Sequence, residues 1–307
     1  MFENFVSSLP GAVYLGLLYA LMALGVYITF RILDFPDLTV DGSFTTGAAT
    51  AAVMISHGVS PWLASLTAIL AGMLAGACTG LLHTKGKING LLSGILMMIA
   101  LYSINLRILG MPNVSIMGEN TVLSAFPPIP FMIVVVLIFK FALDAFMKTD
   151  LGLSLRATGD NKRMIRSFGA NTDNTTILGI SLSNGLVALS GALIAQQSSF
   201  ADATSGIGMI VIGLASVIIG EAIFGAKTVF RATLAVILGS IVYRIVISLA
   251  LQIKGFETSD LKLITAVIVI IALVFPTVRS AIKQRGAAKK RSAELLKSLE
   301  TTPGGER

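Results

Sequence analysis

Nine apolar runs, at about 10–30, 43–56, 62–82, 90–109, 128–147, 175–196, 207–226, 229–251 and 262–278, occupy more than half of this 307-residue chain. About 20 apolar residues is the length one helix needs to cross the hydrocarbon of a bilayer. A barrel strand is roughly ten residues of alternating polarity, so continuous runs of this length exclude a barrel. Charged residues make up only 13% of the chain, where a soluble domain carries about 25%. The mean hydropathy is +0.85. The polar surface is too small to cover a water-soluble particle. These features predict an all-α polytopic membrane bundle with about 8–10 spans.

The basic residues orient the threading. With the N-terminus outside and the C-terminus inside, the inner loops hold Arg31, Lys85, Lys87, Lys148, Arg156, Lys162, Arg163, Arg166, Lys227, Arg231 and the eight basic residues of the C-terminal tail, 18 in all. The outer loops hold three, Arg107, Lys254 and Lys262. This is the positive-inside pattern. It divides the chain into a transmembrane part over 1–281 and a basic cytoplasmic tail over 282–307. The net charge of +7 is placed as a topology signal beside an anionic membrane face, not as a nucleic-acid surface. The first nine residues contain Glu3 and no Lys or Arg, so the first run is expected to stay in the protein. The single cysteine, Cys78, lies within a run and allows no intramolecular disulfide.

The run at 43–56 is too short to cross alone, which predicts a broken or re-entrant second span. An internal repeat agrees. A shift of 165 positions aligns Leu21, Ala23, Leu24, Phe35, Asp37 and Thr39 with Leu186, Ala188, Leu189, Phe200, Asp202 and Thr204. The shared Phe-x-Asp-x-Thr carries the weight, because Asp is rare here. The two copies would have opposite topology, an architecture found in transporters. Chance matching in so apolar a chain is the competing explanation.

The stretch FPDLTVDGSFTTGAA at 35–49 is the most unusual one: with Asp34 just ahead of it, Asp37 and Asp41 make three Asp within eight residues, joined by Thr39, Ser43, Thr45 and Thr46, between two apolar runs. It reads either as the polar lining of a translocation path, to which Asp202, Thr204, Glu221 and Arg244 would add, or as a loop whose Asp and Thr cap the next helix. Four ionisable residues sit inside runs: Lys140, Asp144, Glu221 and Arg244. Such groups turn away from lipid. Lys140 and Asp144 are spaced to pair on one helix. Glu221 and Arg244 are candidates for a pair across two spans, offset by about 10 Å at 1.5 Å per residue.

No metal site is expected from three Asp without nearby His or Glu. Gly220–Thr228, GEAIFGAKT, misses the phosphate-binding pattern by one inserted Ala226 and follows an apolar helix instead of a strand. No hydrolase or zinc motif occurs, so neither an enzyme nor a cofactor is expected. The polar loop at 148–176 has its own helix signals: Asp160 to cap a short helix through Arg166, and Gly169 to end it. A helix too short to span suits docking of a soluble partner.

At this loop the chain resembles the permeases of ABC importers in the branched-chain amino acid and ribose permease superfamily, from about Gly11 to Ala281. The most specific stretch is Leu151-Gly152-x-x-Leu155-Arg156-Ala157-x-Gly159-x-Asn161, followed by Gly169. The resemblance implies that Arg156, Ala157, Gly159, Asp160, Asn161 and Gly169 belong to a coupling segment that docks on an ATPase. DLTVDGSF (37–44), LYSINLRILG (101–110) and GLASVIIGEAIFG (213–225) look closer still to a branch paired with binding proteins for aromatic amino acids such as tryptophan or tyrosine. In the branched-chain branch the first of these segments reads Asn-Leu-Ala-His-Gly instead. The implied assembly has two permease copies, cytoplasmic ABC ATPase subunits and an extracytoplasmic substrate-binding lipoprotein, in a bacterial plasma membrane. An ion-coupled secondary transporter using Asp37, Asp41, Asp202, Glu221 and Arg244 is the alternative.

Overall fold

The computed structural model describes residues 2–124 and 126–251 and six further positions, 263, 265–267, 270 and 274, with side chains from Ser8 onward. Most of the ninth run and the tail at 282–307 lie outside the described residues. The helices are α1 (Phe2–Val26), α2 (Thr39–Ser56), α3 (Pro61–Thr84), α4 (Gly90–Leu109), α5 (Pro128–Phe146), α6 (Asp150–Asp160), α7 (Lys162–Ser167), α8 (Thr172–Ser198), α9 (Met209–Phe224) and α10 (Val229–Ala250). A π-helical segment (Tyr27–Ile32) extends α1. Strands β1 (Asn113–Ser115) and β2 (Phe200–Asp202) pair antiparallel, with Val114 opposite Ala201.

The helix ends follow local chemistry. Asn89 caps α4 by accepting from Leu91 N, and left-handed Gly110 (φ 70°) closes it. Prolines stand in the first turn of α3 and α5, where a missing N–H costs nothing. Asn171 caps α8 through the amides of Asp173 and Asn174.

Six of the described helices are long and apolar enough to cross a membrane: Ser8–Ile32, α3, α4, α5, α8 and α10. Two apolar runs give shorter elements. α2 has 18 residues, 13 of them buried, and α9 has 16, so they are about 27 and 24 Å long. α2 is unbroken. The interruption expected in the second span lies ahead of it, at residues 33–38. There the π-helical turn ends, Leu33 N donates to Ile28 O (3.0 Å), and Asp34 takes a left-handed conformation (φ 50°).

α1 and α8 form the centre: 83% and 72% of their apolar windows are buried, against 22% for α4. α3, α4 and α5 turn large apolar side chains outward, among them Trp62, Leu66, Leu74, Leu96, Ile99 and Ile138. Such a surface suits lipid. α2 and α8 touch backbone to backbone. A Cβ on Gly47 would lie 1.9 Å from Ala188 O, and one on Gly191 would lie 2.0 Å from Phe44 O. Without side chains at these two points the helices close to contact, and dispersion holds them.

Candidate functional site

Both copies of Phe-x-Asp-x-Thr fold into the same turn. Thr39 N donates to Asp37 Oδ1 (2.9 Å) and Thr204 N donates to Asp202 Oδ1 (2.6 Å). Each turn follows a long central helix and leads into a short one. Asp37 precedes α2 and is 2% exposed. Its second oxygen accepts from Asn184 Nδ2 (2.7 Å), near the middle of α8, and Thr39 Oγ1 shares a hydrogen bond with Thr79 Oγ1 of α3 (2.8 Å). α2 therefore starts inside the bundle.

α9 starts inside it as well. Asp41, in the first turn of α2, accepts from the amides of Gly208 (2.8 Å) and Ile210 (2.8 Å). A carboxylate on one helix thus caps another, where free N–H groups and the helix dipole favour negative charge. Gly206 N donates to Thr45 Oγ1 (3.0 Å), and a Cβ at Gly206 would lie 1.9 Å from Asp41 O. Asp37 thus bonds the first amide of α2 from the turn before it, while Asp41 caps α9 and not the helix that follows the loop. The capped ends meet in the bundle interior, where a path lining would also lie. Asp34 sits apart and exposed. Among the described residues no group of three or more His, Cys, Asp and Glu is placed to hold a metal.

The ionisable residues inside the runs divide. Lys140 bonds Asp144, as their spacing predicts, and Thr233 Oγ1 donates to the other carboxylate oxygen (2.8 Å). Glu221 and Arg244 do not pair. Glu221 accepts from Arg31 Nε (3.0 Å), and the Arg244 guanidinium lies over the Tyr19 ring, 3.7 Å from its centroid. The cause is depth: Glu221 stands in the last turn of α9, level with the end of the π-helical segment, whereas Arg244 stands near the other end of α10. Ser43 is fully buried and its hydroxyl has no hydrogen-bond partner.

The loop at 148–176 forms two short helices. Thr149 caps α6. The cap of α7 is Asn161, accepting from Met164 N (3.1 Å), and not Asp160, which ends α6. The extended backbone needed at a cap falls one residue later than expected, at Asn161. Gly169 follows α7 with φ 84°, as a terminating glycine should. α6 seats on the π-helical segment. A Cβ at Gly159 would lie 1.8 Å from Ile32 O, and Leu155 is fully buried against Gly179 and Leu33. Thr158 Oγ1 and Thr175 Oγ1 share a hydrogen bond (3.0 Å). Arg156, Ala157, Gly159 and Asp160 line a cavity of about 820 Å³ together with Arg31, Glu221 and Lys227. GEAIFGAKT closes this cavity: Gly225 (φ 77°) ends α9 and Thr228 caps α10.

Asn184, Thr79, Tyr19, Phe44 and Arg31 complete these contacts and were not expected from the sequence. The available signal was a polar side chain in an apolar run, as in SLSNGLVALSG around Asn184.

Six long apolar helices, with two short helices that start at polar turns, make this a membrane protein of several spans. The family of branched-chain amino acid transport system permease components matches residues 9–274, and the chain belongs to it. A tyrosine transport system permease protein of Clostridioides difficile (strain R20291) is 46% identical over 272 residues, covering 88% of this chain and 92% of that one. The uncharacterized protein RP368 of Rickettsia prowazekii (strain Madrid E) is 38% identical over 82% of this chain and 91% of its own. The galactofuranose transporter permease protein YtfT of Escherichia coli (strain K12) is 27% identical over 85% and 76%. The chain is an ABC transporter permease component, multi-pass in the bacterial cell membrane.

Proposed function

We propose that this permease imports an amino acid or a similar small metabolite, delivered by an extracytoplasmic binding lipoprotein and driven by ATPase subunits docked on α6 and α7. The observation that carries the reading is the seat of α6. Gly159 against Ile32 and Leu155 against Leu33 join a surface helix directly to the segment that holds Asp37. A push on α6 reaches the start of α2 through packed backbone, and α9 follows because Asp41 caps it. Leu151 and Leu153 on α6, Met164 on α7 and Phe168 just after it are exposed, a surface suited to a docked partner. Arg156, Lys162, Arg163 and Arg166 lie on the same two helices, and Lys85 reaches Asp173 at the start of α8 (3.9 Å), which supports a cytoplasmic position for this end and an outer position for β1 and β2. Two copies of the chain would form the pathway, with runs 1–5 and runs 6–9 as inverted halves. The amino-acid class is suggested by the tyrosine transport relative.

Reconstitution with the partner ATPase tests this. Uptake should require ATP and survive collapse of the ion gradients, and Arg156→Ala should lower substrate-stimulated ATP hydrolysis. Accumulation by the chain alone, on an ion gradient, would support the secondary-transporter alternative.

A further inference from the structure

The two cations inside the long helices have opposite surroundings. Lys140 of α5 is 1% exposed and fully matched: it bonds Asp144 and lies 3.3 Å from the Phe230 ring centroid. Arg244 of α10 is only half-matched. The Tyr19 ring covers one face of its guanidinium, and Phe44 of α2 backs that ring, parallel within 5° and 6.3 Å away. Tyr19 and Phe44 are 7% and 1% exposed, so the two rings lie inside the bundle, while Arg244 itself is half-buried. Arg244 Nε is buried without a hydrogen-bond acceptor, and among the described residues no carboxylate forms an ion pair with Arg244. Glu221, the partner its sequence position offers, is held by Arg31.

A guanidinium keeps its charge at any working pH, so it cannot relieve the mismatch by losing a proton. A ring face attracts a cation but accepts none of its in-plane N–H bonds in the guanidinium plane. Buried donors in native proteins are nearly always paired, and an ionisable group inside a span turns toward a partner or a pathway. An anion with acceptors in that plane would supply both the missing acceptor and the missing countercharge. A carboxylate fits, because its two oxygens match the guanidinium fork.

We propose that Arg244 is a specificity-determining residue that holds the carboxylate of the transported solute, with Tyr19 and Phe44 fixing the plane of its guanidinium. This rests on the permease reading above and adds the chemical group that is recognised: the solute class is small carboxylates, amino acids among them.

The test uses the full chain in nanodiscs and the arginine reagent phenylglyoxal, with modification of Arg244 followed by peptide mass spectrometry. The probes are L-tyrosine, 3-(4-hydroxyphenyl)propionate, which lacks the ammonium, and tyramine, which lacks the carboxylate. Both carboxylates should slow modification several-fold, and tyramine should not. Equal protection by tyramine, no protection by either carboxylate, or an Arg244 that never reacts would each overturn the proposal. Protection by 3-(4-hydroxyphenyl)propionate without uptake of L-tyrosine keeps the carboxylate anchor and sinks the amino-acid reading. Uptake of L-tyrosine without protection sinks the anchor alone. In reconstituted transport, Arg244→Gln should raise KM for L-tyrosine about tenfold or more, and Arg244→Lys should recover part of the loss. An unchanged KM in Arg244→Gln overturns the proposal. Should that variant fail to assemble, protection of the wild-type chain still decides.

Discussion

The turns at Phe35–Thr39 and Phe200–Thr204 share one sequence pattern and one hydrogen-bond geometry, yet they do different work. In the first, Phe35 and Asp37 are 4% and 2% exposed, and bonds run to α3 and α8. In the second, Phe200 is 46% exposed and, among the described residues, the Asp202 side chain bonds only its own turn, to Thr204. The local motif shapes the chain in both places, but its energetic weight comes from what surrounds it. A carboxylate sealed from water depends on each donor it has, whereas an exposed one has water as a substitute. The first turn also receives the contact from α6, through Ile32 and Leu33. It is thus the copy on which α6, the proposed docking helix, would act.

Breaking that brace should have the largest effect. Gly159→Val places side-chain atoms where Cβ alone would already be 1.8 Å from Ile32 O, so α6 must lift off the π-helical segment. Substrate-stimulated ATP hydrolysis and uptake in the reconstituted transporter should fall to background, while the equivalent bulk at Gly11, which has nothing within 4 Å of its Cβ position, should be tolerated. Asp37→Ala comes next. It strands Thr39 N and one N–H of Asn184 Nδ2, whose other N–H keeps Ile180 O (2.9 Å), at about 1–3 kcal/mol for each buried donor left unmade, and should lower the Tm of the purified chain by several degrees. A Tm within one degree of wild type would show that this turn is no more sealed than its counterpart.

The sequence made the membrane class, most helix positions and the Lys140–Asp144 pair readable, because apolar run length and i,i+4 spacing are one-dimensional signals. The repeated turn was readable for the same reason, since Asx geometry depends on residues two apart. What the sequence could not show were partners across space. Asp41 caps α9 from 167 positions away along the chain, Arg31 takes Glu221 from 190 away, and Asn184 meets Asp37 from 147 away. The offset of Asp160 and Asn161 was missed for a smaller reason: both residue types cap helices well, and only the backbone turn decides which one does.

Between the strongest and weakest effects lie two measurements that sharpen the contrast. Asp41→Asn keeps an acceptor but removes the charge at the start of α9, so it should cost about 1 kcal/mol and leave the fold intact. Hydrogen exchange should then rise at Gly208–Ile210 and not across α2. Single cysteines in a Cys78→Ser background test the exposure of the turns themselves. Thr204→Cys, at an exposed position, should react quickly with a hydrophilic maleimide; Thr39→Cys, at a position 0% exposed, should be inert in the same state. Similar rates at the two sites would erase the difference between the turns.

The smallest effect is expected from Asp202→Ala, and its smallness is the point. The substitution removes acceptors for Thr204 N and Oγ1, the same local bonds that Asp37 supplies in its own turn. Were the turn itself the source of stability, the two alanine variants would lose equal amounts. At Phe200–Thr204, however, water reaches Thr204, and the β1–β2 ladder holds the backbone through Asn113 and Ser115 without help from the carboxylate. The loss should therefore stay near the lower end of a cap deletion, about 0.5 kcal/mol, a Tm change of a degree or less beside several degrees for Asp37→Ala. A loss at Asp202 as large as that at Asp37 would locate the stabilisation in the motif and not in its burial.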